Sequence, residues 1–257
     1  MPISLPSTEL KHLDGAPLKV ALAQVRFAPV YAVEKRERVS DFQERLPAGY
    51  VAREAQVAQT VTIQFGPSQS HAAPPSLAPE TVWPFEDRKR GWSVSLSSSS
   101  LALEAGRYDD FDDFLAEFRT VLAALAGAFQ PQECRRLGLR YVNEITDERL
   151  RGERGLMELL RAELVSPIGT DLGSDVAGSL CELRFREALG TLVLRHGLIR
   201  PDTYLLDFDY FKEEEEVFSD EGTVTTLERF HDVIEPLFVW SLSDSYLNEL
   251  KERSRGR

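Results

Sequence analysis

The chain has 257 residues, 42% of them hydrophobic and 28% charged, with a formal net charge of −12. That apolar content is ample for a globular core, while the acidic balance argues against nucleic acid as the primary partner and against an anionic membrane surface. Two cysteines form no disulfide framework, no apolar run is long enough to span a bilayer, and the opening residues lack a signal-peptide pattern, so a reducing cytoplasm is the expected setting.

Residues 1–16 carry little pattern and read as an N-terminal arm. Pro17 to Phe27 reads as a strand, with Ala21, Ala23, Val25 and Phe27 on one face and Leu22, Gln24 and Arg26 on the other, because successive side chains alternate. A helix follows over Val33 to Leu46 and stops at Pro47-Ala48-Gly49. Val51 to Phe65 reads as a strand, clearest where Val61, Ile63 and Phe65 alternate with Thr62 and Gln64, and Gly66 to Pro79 as a surface loop. A meander starts near Val82. In it Trp92, Val94 and Leu96 alternate with Ser93, Ser95 and Ser97 before Leu101 and Leu103 resume the apolar face.

The strongest periodicity runs from Asp109 to Ala128, where Phe111, Phe114, Leu115, Phe118, Val121, Leu122 and Leu125 form one stripe of a helix that Pro131 ends. Asp109, Asp110, Asp112 and Asp113 stand in its first turn. A metal site is the sharper reading of four aspartates, and an acidic helix start the ordinary one.

Next comes Arg135 to Ile145, a strand with Leu137, Leu139 and Tyr141 on one face and Arg136, Gly138 and Arg140 on the other. The same parity puts Cys134 with the arginines and Cys181 on the opposite, apolar face, so the two are not expected to pair. A helix over Glu153 to Leu164, a loop over Ser166 to Gly178, and strands over Leu180–Glu187, Thr191–His196 and Thr203–Phe211 follow. An acidic linker, a helix over Thr225 to Trp240, a short helix over Asp244 to Lys251 and a basic tail complete the chain.

Both halves therefore read β-α-β-β-β-α, with Arg26 matched to Arg140 at an offset of 140 − 26 = 114 positions. The expected fold is α+β: residues 17–130 and 131–257 as duplicated units of one composite domain. They would form a curved, mainly antiparallel sheet of about eight strands with helices on one face.

The uncovered face would then be polar. It would present Gln24, Arg26, Thr62, Gln64, Ser93, Ser95 and Ser97 in the first half. In the second it would present Arg136, Arg140, Glu182, Arg184, Arg186, Arg195, Asp207 and Asp209. Two readings compete there. One is cross-strand ion pairing on a solvated sheet. The other is an anion site in which Arg136, Arg140, Arg184 and Arg186, with Arg26, grip a phosphate or carboxylate, and Asp207 and Asp209 are weak candidates for a divalent metal. An arginine- and acid-lined barrel is also the architecture of tunnel-like phosphohydrolases, but their Glu-x-Glu-x-Lys signature is absent.

Phosphate-loop, nucleophile-elbow and His-Glu-x-x-His signatures are absent too. The four histidines lack ligand spacing. His231, beside the apolar stripe of the last long helix, reads as a packing or capping residue, and Trp83, Trp92 and Trp240 read as core anchors. No enzyme class emerges, and no cofactor is expected.

Arg136-Leu137-Gly138-Leu139-Arg140-Tyr141-Val142-Asn143 resembles the Arg-x-Gly-Leu-Arg-Tyr-x-Asn signature of an uncharacterised, sporadically distributed family of bacterial proteins of about this length. The strand ending Gln24-Val25-Arg26-Phe27, the segment Leu101 to Glu104 with Tyr108, and the terminal helix with Ile234, Leu237 and Phe238 are similar to that family as well. The resemblance implies no catalytic residues. Sporadic distribution is compatible with carriage on mobile or defence-type loci. The expected function is a non-enzymatic binding or accessory protein, antitoxin-like or part of a defence complex, that holds a partner protein. A phosphate- or nucleotide-binding domain, hydrolytic or not, is the alternative, and a structural homodimer through a sheet edge or terminal helix a third.

Overall fold

The structure, a computed structural model, describes residues 16–58, 80–151, 155–165, 176 and 178–255. Its centre is one long strand, β7 (Glu133–Thr146), flanked by β1 (Leu18–Phe27) on one side and β10 (Thr203–Lys212) on the other. Beyond β1 lie β6 (Ser100–Ala105), β5 (Trp92–Leu96), β4 (Glu80–Asp87) and the short β2 (Val51–Ala52). Beyond β10 lie β9 (Gly190–Arg200) and β8 (Cys181–Glu187). Two further short strands attach to this path, β3 (Gln56–Ala58) on β4 and β11 (Glu216–Val217) on β7. The fold is α+β: eleven strands among the described residues form one open sheet, and every pairing is antiparallel.

Period-two alternation sorts the sheet into two faces. Ala21, Ala23, Val25, Val94, Leu101, Leu103, Leu139, Leu194 and Phe208 are fully buried on one of them. Against that face pack α1 (Arg36–Gln43), α2 (Phe111–Phe129) and α5 (Asp220–Ser241). Phe114, Phe118, Val121, Leu122 and Leu125 form the buried stripe of α2, and Leu227, Phe230, Ile234 and Leu237 that of α5. Rings lock the layers together: Phe230 stacks on Tyr210 of β10 at 4.1 Å, and Phe42 of α1 meets Phe85 of β4 edge-on at 5.5 Å. The core is one continuous cluster drawing on both halves of the chain. No helix among the described residues is long and apolar enough to cross a membrane.

The acidic start of α2 is a helix cap. The Asp110 side chain accepts from the Asp113 backbone N–H at 2.7 Å, and Gln130 ends the helix in the left-handed conformation (φ 49°) just before Pro131. Removing the cap orphans a backbone donor. Asp110→Ala should therefore lower stability by about 1 kcal/mol in urea unfolding, and an unchanged midpoint would refute the capping role.

Several expectations need correction. The sheet has eleven strands among the described residues where about eight were expected. The strand expected over Val51 to Phe65 is two short pieces, β2 and β3, and its clearest part, Val61 to Phe65, lies outside the described residues. The helix expected over Glu153 to Leu164 is two pieces, α3 (Gly155–Leu159) and α4 (Ala162–Val165), because Leu160 leaves the helix to bridge Leu242. Cys134 is on the core side: the register slips between Arg26 and Phe27, which puts Cys134 opposite Phe27 and buries it. Burial raises its thiol to about 11. Ser97 lies beyond the end of β5, buried, with its hydroxyl 2.8 Å from that of Ser100. The last helices run longer than expected: α5 starts at Asp220, and α6 (Asp244–Arg255) extends past Lys251.

Candidate functional site

The face away from the helices carries the charged groups. Register places Gln24, Gly138, Phe211 and Thr191 in one cross-strand row and Leu22, Arg140, Asp209 and Val193 in the next. A third row holds Val142, Asp207, Arg195 and Glu182. Arg140 and Asp207 are thus diagonal neighbours on adjacent strands, within reach of long side chains.

Asp207 is the hub. Its carboxylate is 2% exposed and accepts two bonds from Arg140, from Nε at 2.7 Å and from an Nη at 2.8 Å, the two-pronged geometry a guanidinium favours. Arg195 approaches the same carboxylate at 3.4 Å and bonds Glu182 at 2.8 Å, and Glu182 also accepts from Arg184 at 2.7 Å. Burial pushes the Glu182 carboxyl up, but its bonds to Arg184 and Arg195 outweigh this and hold it below the usual range. The Asp207 bond keeps Arg140 charged against the cost of burial. Asp209 differs. Burial raises its carboxyl more than Arg136, Arg140 and Arg195 lower it, because its nearest ion-pair contacts are as long as 3.6 and 4.0 Å.

The Arg136 side chain reaches along β7 over Gly138. A Cβ at Gly138 would stand 3.0 Å from an Arg136 Nη atom. With that space open, the guanidinium sits over the Phe211 ring at 4.6 Å, donates to Gln24 at 3.1 Å and meets Asp209 and Glu213 at 3.6 and 3.5 Å.

The structure brings together Arg136, Arg140, Asp207 and Asp209, joined by Arg195, and extends the network to Arg184 through Glu182. Arg26 and Arg186 stand apart. Both are on this face, and neither makes an ion pair with a described residue. The charges within the network balance: Arg136, Arg140, Arg184 and Arg195 are matched by Glu182, Asp207, Asp209 and Glu213, four against four, and Arg26 and Arg186 remain in excess. Thr62 and Gln64, expected on the face, lie outside the described residues. Asp207 and Asp209 point into arginines, and among the described residues no group of three or more His, Cys, Asp or Glu is arranged to hold a metal ion.

Sequence reasoning missed Phe211 and Glu213 as partners of Arg136, although Phe211 shares the strand parity of Asp207 and Asp209. It also missed a polar chain on the core side. There the Tyr141 hydroxyl lies 3.3 Å from that of Tyr108 and 3.2 Å from Nδ1 of His231, and the imidazole stacks on Phe111 at 3.9 Å. Burial lowers His231 to about 4, which makes it a neutral packing residue at pH 7. Asn143, the last residue of the signature, is buried and donates to the Leu206 carbonyl at 3.2 Å. Comparison with protein-family models returns no match for this chain, and none of the curated proteins matches it.

Proposed function

We propose that the chain is a non-enzymatic binding protein that holds a partner protein against the polar face of its sheet. The observation that carries this reading is the neutralisation of the arginines. Four of the six are matched by carboxylates, which leaves a preorganised array of alternating charge with no unpaired base or nucleophile among them. Such an array suits the mixed-charge surface of another protein, where complementarity confers specificity more than raw affinity. The net charge of −12 favours a basic partner. With the family resemblance, this fits an antitoxin-like role or membership of a bacterial defence or mobile-element complex.

A second reading rests on Arg26, which lies directly across from Arg136 with no carboxylate of its own among the described residues. Two adjacent guanidiniums offer a grip for a phosphate group. One experiment separates the two. Affinity capture of the tagged chain from its native cells, with mass spectrometry of retained proteins and small molecules, should yield a stoichiometric protein partner released by raised salt. A nucleotide or other phosphate compound, retained by the wild type and lost from Arg26→Ala, would overturn the partner reading in favour of the ligand. Retention of neither would refute both.

We also infer that the halves are copies. The strand orders on either side of the β1–β7 pair mirror each other, β6-β5-β4 against β10-β9-β8. The offset of 114 carries Gln24 onto Gly138 (24 + 114 = 138), and these two residues are direct cross-strand partners, as a local two-fold between β1 and β7 requires.

A further inference from the structure

We infer that a second copy of this chain pairs with the free edge of β8, joining two sheets into one across a two-fold axis. The two ends of the sheet are finished differently. At one end β4 is covered by β2 and β3, whereas at the other β8 pairs only with β9 among the described residues. An edge of seven residues exposes a row of backbone N–H and C=O groups, a template for another strand. Charged side chains ordinarily blunt such an edge. Here the signs are arranged so that the strand complements itself.

When Cys181-Glu182-Leu183-Arg184-Phe185-Arg186-Glu187 runs antiparallel to its own copy about Arg184, each Glu182 faces Arg186 of the second copy, and each Leu183 faces Phe185. The register overlaps all seven residues. It sets Arg186, which has no ion-pair partner among the described residues, beside the Glu182 carboxylate that Arg184 and Arg195 of the other copy already share, and it does so twice by symmetry. It also puts a phenyl ring beside Leu183, which is 38% exposed on the side of the sheet that the helices cover elsewhere. Arg184 meets Arg184 on the axis, but each is already held by Glu182 of its own chain at 2.7 Å. Because the axis is perpendicular to the sheet, both helix layers lie on the same side and both polar faces on the other, so the candidate site is doubled and not covered.

The test uses the purified full chain alone, so its outcome is independent of any cellular partner. Sedimentation equilibrium at about 0.15 M salt, where the repulsion between two chains of charge −12 is screened, should give twice the chain mass of 29.0 kDa, that is 58.0 kDa. Arg186→Glu should raise the dimer dissociation constant at least about tenfold, since both Glu–Arg pairs become Glu–Glu. Its thermal melting should match the wild type once dimer dissociation is allowed for, because Arg186 makes no ion pair within the described chain. In a Cys181→Ser background, Arg184→Cys should form a disulfide-linked dimer on mild oxidation, because directly opposed residues have Cα atoms about 4.5–5.5 Å apart. Arg186→Cys, displaced from its own copy by four residues, should not. A wild-type monomer would overturn the proposal. So would a dimer indifferent to Arg186→Glu in which Arg184→Cys fails to cross-link.

Discussion

Asp207→Ala should lower the unfolding free energy by about 1.5–3 kcal/mol, the largest loss expected from any single change on the polar face. The carboxylate is 2% exposed and receives two bonds from Arg140 and a third, longer one from Arg195. Its removal leaves two guanidiniums side by side on the sheet with no charge between them. The useful control is Arg184→Ala. That side chain is 59% exposed and bonded only to Glu182 among the described residues, so its loss should stay within about 0.5 kcal/mol. Replacing the pair together, Arg140→Met with Asp207→Leu, should cost less than Asp207→Ala alone, because the penalty comes from an uncompensated charge more than from a lost attraction. Urea unfolding of the four proteins measures all of this. An Asp207→Ala variant as mild as Arg184→Ala would mean that solvent, not the carboxylate, balances Arg140.

The second large effect is in the pH dependence. Burial lowers His231 to about 4, while an unfolded histidine titrates near about 6.5. The sign follows from proton counting. Above about pH 6.5 the imidazole is neutral in both states and makes no pH-dependent contribution. Between about 6.5 and 4 the unfolded chain takes up a proton that the folded chain resists, so stability falls as the pH falls. The full loss is on the order of 3 kcal/mol by pH 4. His231→Phe keeps a ring against Phe111 and cannot titrate. The wild type should lose stability relative to this variant as pH drops from 7 to 4.5, and the difference curve isolates the histidine from Asp209 and Glu235, whose raised carboxyls work in the opposite direction. Parallel stability curves for the two proteins would show that the folded imidazole is already protonated or reached by water.

Side-chain alternation is local, and local patterns were legible. The sequence alone predicts that Arg26, Arg136, Arg140, Arg184, Arg186, Arg195, Asp207 and Asp209 share one face, and the strand pairings place them there. The α2 stripe was equally plain, because apolar residues recurring every three or four positions line one side of a helix and would scatter over both faces of a strand. The pattern failed at Cys134, where one extra residue, Arg135, slips the register and turns the thiol to the core. It failed again at Leu160, whose place in a helical stripe is overridden by a bridge to Leu242, a residue remote in sequence.

What the sequence determined by itself, then, is what depends on period: the buried stripe of α2, the parity of the long strands, and that one face is polar and rich in arginine. What only the tertiary structure decided is which charges meet. Arg140 and Asp207 are 67 positions apart, and whether that arginine grips a carboxylate of its own sheet or remains open to a ligand depends on the register between β7 and β10. Register is fixed by the packing of whole strands against the helix layer. The same holds for the edges: nothing local to Cys181–Glu187 says that this strand ends the sheet. Only the assembled order of strands leaves β8 with one neighbour among the described residues.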